Sequence, residues 1–132
     1  MMNTFSVKTA SKNQMKDITS EVIRIVKESG VNSGICVIYT PHTTAAITIN
    51  ENADPDVVTD MLTGFDSFHF EKLHFYHSEG NSPSHLKSSI VGCSETVIIE
   101  ENSLLLGTWQ GIYFCEFDGP RNRKVHVKII SE

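Results

Sequence analysis

Two β-prone runs, Trp109-Gln110-Gly111-Ile112-Tyr113-Phe114-Cys115-Glu116-Phe117 and Val125-His126-Val127-Lys128-Ile129-Ile130, flank Asp118-Gly119-Pro120-Arg121, the clearest turn in the chain. Strand, turn and strand in succession predict a hairpin. In the second run the apolar residues alternate. That places Val125, Val127 and Ile129 on an inward face, with Lys124, His126 and Lys128 toward solvent. Thr96-Val97-Ile98-Ile99 and Ser103-Leu104-Leu105-Leu106-Gly107 precede them as further strand candidates, so the C-terminal half reads as sheet.

Working back toward the N-terminus, the segment Thr4–Thr9 alternates weakly around Phe5 and Val7 and predicts an opening strand. Ser11 and Gln14 form a capping-box pattern, and Met15, Ile18, Val22, Ile25 and Val26 recur at helical spacing before Gly30. These signals predict an amphipathic helix from about Lys12 to Ser29. The run from Gly34 to Thr40 is almost continuously apolar and predicts a strand buried on both faces. Ala45–Asn50 resumes a strand pattern. Asp54-Pro55 signals a helix start, with Val57, Val58, Met61, Leu62 and Phe65 sharing a face and Asp60 at its edge. The residues from Asp66 to Phe75 have no clean period and read as loop or short helix. Ser82-Pro83 reads as N-cap and first helical residue of a short helix ending at Gly92. A few helices followed by many strands predict an α+β fold with a mixed, mostly antiparallel sheet and two to three helices.

At 132 residues the chain has the length of one compact domain, taken as 1–132. A net charge of −5 argues against nonspecific nucleic-acid binding, since no face-wide surplus of Lys and Arg is available to neutralise phosphates. No apolar run approaches the length of a membrane span, and the first residues lack the basic segment and apolar core of a secretory signal. The expectation is a cytoplasmic protein that binds neither membrane nor nucleic acid. Three widely spaced cysteines in apolar surroundings, Cys36, Cys93 and Cys115, agree with buried free thiols in a reducing compartment. The short, uncapped strands suggest self-association.

Reactive groups concentrate in Tyr76-His77-Ser78-Glu79-Gly80-Asn81-Ser82-Pro83-Ser84-His85. A helix start here would offer free N–H groups and a positive dipole end to an anion, with Gly80, Asn81 and Ser82 as phosphate-binding candidates. His42, His77 and His85 occupy polar, turn-bounded positions suited to a divalent ion such as zinc, nickel, manganese or magnesium. Their spacing matches no short metal motif, and the same residues also read as surface hydrogen-bonding histidines. Glu51, Asp60 and Glu79 are candidates to orient a histidine, act as general base or hold magnesium through water, with His42 as a further catalytic candidate, or else these acids are solvated or cap-adjacent. Trp109 and Gln110 read either as one wall of a pocket for a heteroaromatic ring or as core. Arg121 and Arg123 read as a phosphate clamp or as solvated turn residues.

Taken together, Pro41-His42-Thr43-Thr44-Ala45-Ala46, Asn50-Glu51-Asn52, Asp60, His77-Ser78-Glu79-Gly80-Asn81-Ser82, His85-Leu86, Gly107-Thr108-Trp109-Gln110 and Phe117-Asp118-Gly119-Pro120-Arg121-Asn122-Arg123 resemble the YjbQ-like family, also called secondary thiamine-phosphate synthases. The likeness spans nearly the whole chain. It implies a β-sandwich-like core, a homotrimer with sites near subunit interfaces, and convergence of His42, His77 and His85. It also implies a weak thiamine-phosphate synthase activity, in which a pyrimidine diphosphate and a thiazole phosphate are joined with loss of pyrophosphate. A metal-dependent phosphoester hydrolase and a non-catalytic trimeric binding protein for a metal or a small phosphorylated metabolite are the competing expectations.

Overall fold

The computed structural model describes residues 2–132. In chain order its elements are β1 (Met2–Lys8), β2 (Gln14–Asp17), α1 (Thr19–Ser29), β3 (Gly34–Tyr39), β4 (Ala45–Glu51), α2 (Pro55–Asp66), a single 3-10 turn (Phe70–Lys72), α3 (Ser82–Val91), β5 (Ser94–Glu100), β6 (Ser103–Leu104), β7 (Gln110–Glu116) and β8 (Asn122–Ser131). The strands form two antiparallel sheets, one ordered β1-β8-β3-β5-β6 and the other β2-β7-β4. This is a single α+β domain, as the pattern of elements predicts.

The alternation expected in β8 holds. Val125, Val127 and Ile129 are buried, Lys124 and Lys128 are exposed and His126 is half-buried. The expected hairpin does not form, because β7 and β8 lie in different sheets and Asp118–Arg121 carries the chain between them. Glu116 and Arg123 account for the crossing. Glu116 shares a face with Ile112 and Phe114, and Arg123 shares one with Val125 and Val127, so both side chains turn into the space between the sheets. There Arg123 donates from Nε to Glu116 Oε1 at 2.8 Å and from Nη2 to Oε2, while Thr9 Oγ1 and the Asp118 N–H donate to the same carboxylate at 2.8 and 3.1 Å. A buried carboxylate needs such partners, and pairing within one sheet would have separated them. A Cβ at Gly119 would meet the Ser11 carbonyl oxygen at 2.4 Å, so only glycine fits this close approach.

The main core lies between the sheets and is closed by Ile18, with Val22, Ile25 and Val26 of α1. The expected helix from Lys12 is shorter at its start. Gln14–Asp17 instead pairs with β7 from Gln14 opposite Glu116 to Asp17 opposite Tyr113, satisfying backbone groups that β7 leaves open on that edge. Met15 therefore faces a second core, with Ala46, Tyr113, Cys115 and Phe117. The Ser11–Gln14 capping box is absent; Asp17 Oδ1 accepts from the Thr19 N–H at 2.9 Å. Gly30 ends α1 in the left-handed region at φ 69°, as expected.

The second core is covered by α2 and α3 through Val58, Met61, Leu62, Phe65 and Val91. Asp54 caps α2 by accepting from the Asp56 N–H at 2.9 Å, which bears out the Asp-Pro start. The strand buried on both faces is β7, whose residues alternate between the two cores. β3 buries Cys36 and Ile38, while its other face is open: Ile35, Ile98 and Ile130 lie side by side on β3, β5 and β8 at 36, 50 and 48% exposure. Among the described residues no helix is long and apolar enough to cross a membrane.

Candidate functional site

β4 begins, α3 begins and the sheet-to-sheet crossing ends at one place, and these three features build a cleft of about 310 Å³. His42, Thr43, Thr44, His77, Glu79, Asn81, His85, Arg121 and Arg123 line it. Three of the residues are the expected histidines, brought together from positions 42, 77 and 85. The His77 and His85 rings lie edge to face with centroids 5.4 Å apart. Lys87, buried on α3, holds the preceding segment through Asp66 at 3.3 Å and Glu71 at 4.0 Å, and so sets where the chain returns with His77.

The start of α3 is shifted by one residue from the sequence reading. Ser82 is the first helical residue and Asn81 occupies the cap position, but its side chain donates from Nδ2 to Asp118 Oδ2 at 2.8 Å and makes no cap bond. Ser84 and His85 N–H groups donate to the Asn81 carbonyl at 3.0 and 3.3 Å, the Gly80 N–H donates to the His77 carbonyl at 3.1 Å, and Pro83 has no N–H. The expected cradle from Gly80 to Ser84 is thus reduced to the amides of Asn81 and Ser82. Asp118 Oδ2 also accepts from Arg121 Nη2 at 3.0 Å, tying the crossing to the helix start. Asn81 Oδ1 is buried without a partner.

His42 is not equivalent to the other two imidazoles. Its Nε2 accepts from the Lys124 backbone N–H at 2.9 Å. A neutral ring whose Nε2 lone pair is engaged carries its proton on Nδ1, and so has an N–H to offer and no free lone pair. Burial, helped by the Arg123 and Arg121 guanidiniums and His126, holds the ring below its ordinary pKa of 6.5 against the opposing pull of Glu116. His42 as placed therefore offers the cleft a hydrogen-bond donor at Nδ1. Two imidazoles sharing a tetrahedral ion would have centroids about 5 Å apart, given metal–nitrogen bonds of about 2 Å. His77 and His85 fit that spacing, although among the described residues no three His, Cys, Asp or Glu side chains are placed to share one ion.

The two arginines differ as well. Arg121 is half-exposed, while Arg123 is 2% exposed and committed to Glu116 and to Thr44 Oγ1, at 2.8 Å. Arg123 is a pillar beneath the cleft, and an open clamp falls to Arg121 alone. In Glu116, burial pushes the carboxyl up, but the bonds from Arg123, Thr9 and the Asp118 N–H outweigh it and hold the group below the usual carboxylate range. Arg121, Arg123 and Glu79 are the charged residues of the lining, and both arginines are already paired, Arg121 with Asp118 and Arg123 with Glu116, so much of their positive charge is matched within the protein.

Asp60 is exposed on α2 and outside the lining. Trp109 and Gln110 stand at the opposite end of β7 from Glu116, about 20 Å away along the strand. Trp109 is 62% exposed, and its carbonyl accepts from the Asn52 N–H at 2.9 Å; Gln110 pairs with Glu51, and Tyr113 donates its hydroxyl to the Glu51 carbonyl at 3.0 Å. The motif residues therefore collect in two clusters, one at each end of the smaller sheet. Sequence reasoning missed the roles of Thr44, Glu116 and Asp118. A single carboxylate inside the apolar run Phe114-Cys115-Glu116-Phe117 was the signal for the buried pair.

A family model described as UPF0047 protein YjbQ-like matches residues 3–132. The chain is similar to the UPF0047 protein YugU of Bacillus subtilis, with 54% identity over 99% of this chain and 100% of the relative. A UPF0047 protein of Methanocaldococcus jannaschii is 52% identical over 100% of this chain and 96% of its own. Among solved structures, an uncharacterized conserved protein of the YjbQ/UPF0047 family from Clostridium acetobutylicum superposes with a TM-score of 0.94 at 55% identity, covering 97% of this chain and 99% of the other. A YbjQ-like protein of unknown function from Sulfolobus solfataricus gives 0.95 at 35% identity, over 100% of this chain and 97% of the other.

Proposed function

This chain belongs to the YjbQ-like UPF0047 family, and from that premise we propose that it is a thiamine-phosphate-synthase-type transferase acting on phosphorylated substrates in the histidine cleft. The observation that carries the reading is the convergence of His42, His77, His85 and Arg121 on one space at the start of α3. Expelling pyrophosphate requires that negative charge developing on the leaving oxygens be stabilised. Because both arginines of the cleft are already paired with carboxylates, a divalent cation would offset the charge of an entering diphosphate; His77 and His85 would hold it, and it would supply Lewis-acid charge at the leaving group. Arg121 and the amides of Asn81 and Ser82 would bind phosphate oxygens. The Nδ1–H of His42 would donate to the same group, and Glu79 would accept a proton or orient an imidazole.

The reading includes a homotrimer, supported by the uncovered Ile35, Ile98 and Ile130 on the outer sheet face. A cyclic assembly lets one subunit's Trp109 and Gln110 cluster serve the neighbouring histidine cleft, and Asp60, exposed midway along α2, is open to a neighbouring subunit in the same way. The separation of Trp109 from the histidines within one chain favours a second reading, a metal-dependent phosphoester hydrolase that needs no stacking wall. A cytoplasmic setting is supported by cysteines that are all unpaired among the described residues.

The deciding experiment incubates purified protein and zinc, nickel, manganese or magnesium in turn with an aminopyrimidine diphosphate, with and without a thiazole phosphate, and measures pyrophosphate and orthophosphate. Pyrophosphate release dependent on the thiazole, and lost in His77→Ala, supports the transferase. Orthophosphate without the thiazole supports the hydrolase, and no turnover of either kind leaves a binding protein.

A further inference from the structure

Beside the histidine cleft lies a larger one of about 540 Å³, and the two share His42, Thr43 and His85 as a common wall. The first cleft is lined by Glu79, Arg121 and Arg123; the second has no Asp, Glu, Lys or Arg in its lining and adds Tyr39, Ser89 and Cys93. A space of this size and neutral character suits the organic body of a small ligand.

α3 connects the two compartments. Its first turn, with Asn81 and His85, faces the charged cleft, and its last, with Ser88, Ser89 and Gly92, faces the neutral one; Ser88 and Ser89 lie only about 5–6 Å beyond the shared His85, within reach of a single aromatic ring. The helix dipole is positive at its start and negative at its end, and no basic side chain in the last turn offsets the negative end. An elongated ligand is therefore best aligned with its anion at the start of α3 and a hydrogen-bond-donating or cationic group at its end. Tyr39 supplies an aromatic surface at the second cleft. Its ring is held by stacking on His126 at 6.2 Å and 21°, yet the residue is 41% exposed. An aromatic face attracts planar rings and cations alike.

We propose that the neutral cleft is the subsite for the non-phosphate body of the ligand, and that it selects a planar ring bearing an amino or cationic nitrogen, with Tyr39 and the C-terminal end of α3 as its determinants. This rests on the phosphate reading of the first cleft. Calorimetry in manganese-containing buffer with methyl phosphate, phenyl phosphate and 4-(aminomethyl)phenyl phosphate tests it. Affinity is expected to rise along that series by about tenfold in all. Tyr39→Ala should shrink the advantage to within about threefold while leaving methyl phosphate unchanged, and Tyr39→Phe should keep it. Ser89→Lys should weaken only the aminomethyl compound. If methyl phosphate binds and the series is flat, or is insensitive to Tyr39→Ala, the subsite is overturned and the phosphate reading stands. If no phosphate binds wild-type protein, both are overturned.

Discussion

Arg123 Nε meets Glu116 Oε1 at 2.8 Å across the gap between the two sheets, with both residues 2% exposed or less. The pair links the strand entering the crossing to the strand leaving it, and so fixes the floor of the histidine cleft. Removing one partner strands a buried charge. Arg123→Leu is expected to cost about 3–5 kcal/mol in urea unfolding, and Arg123→Leu with Glu116→Leu to recover a substantial part. Glu116 also sets an acid limit. Its folded pKa lies below its ordinary 4.5, so its contribution is complete above 4.5 and is lost as pH falls through the folded value. Equal loss in the single and double variants would show that the pair is not the determinant.

The proton of neutral His42 is expected on Nδ1, and two-bond proton–nitrogen correlation spectra at neutral pH read this directly. Protonation would set an N–H against the Lys124 N–H and break that bond. Because the folded pKa is depressed, the unfolded chain takes up the proton first as pH falls below 6.5, so stability declines from there downward. His42→Gln should flatten the stability profile between about pH 7 and 5.5 relative to wild type. An Nε2–H signal in the wild-type spectrum would refute the assignment.

If Trp109 of one subunit completes the cleft of the next, His77→Ala and Trp109→Ala are each inactive alone. Refolded together in equal amounts they should regain about one quarter of wild-type pyrophosphate release, since random assembly brings an intact histidine cleft and an intact Trp109 together at one site in four. No recovery in mixtures that light scattering shows to be trimeric would confine each site to one subunit.

Thiol chemistry offers a further check. Burial pushes Cys36 up to about 11 and Cys115 up to about 12, whereas Cys93, against the expectation of burial, is exposed at the neutral cleft, because it follows Gly92 where the chain leaves α3. A disulfide reagent at pH 8 should titrate one thiol per native chain and all three in guanidinium. Rapid reaction of a second native thiol would contradict the packing described for β3 or β7.

What could be read from sequence was local. The Asp54-Pro55 helix start, the Gly30 terminator and the alternation of β8 depend on neighbours a few residues away, and each appears where expected. The hairpin and the long first helix failed because Asp118–Arg121 has the same turn chemistry whether its flanking strands pair or part, and because Gln14–Asp17 takes its structure from β7, about a hundred positions on. At the site, family resemblance anticipated the meeting of His42, His77 and His85. The donor role of His42 was hidden, since its partner is a backbone N–H 82 positions distant.

The place of β8 between β1 and β3 has a consequence for how the protein is born. β8, the last strand in chain order, lies inside the larger sheet, and among the described residues β1 has no other strand partner there. During synthesis β1 and β3 emerge early and wait for β8, with Val7, Cys36 and Ile38 uncovered until it leaves the ribosome. Such long-range pairing places folding in the slow, millisecond-to-second class. A nascent chain stalled before Asn122 would remain a substrate for chaperones.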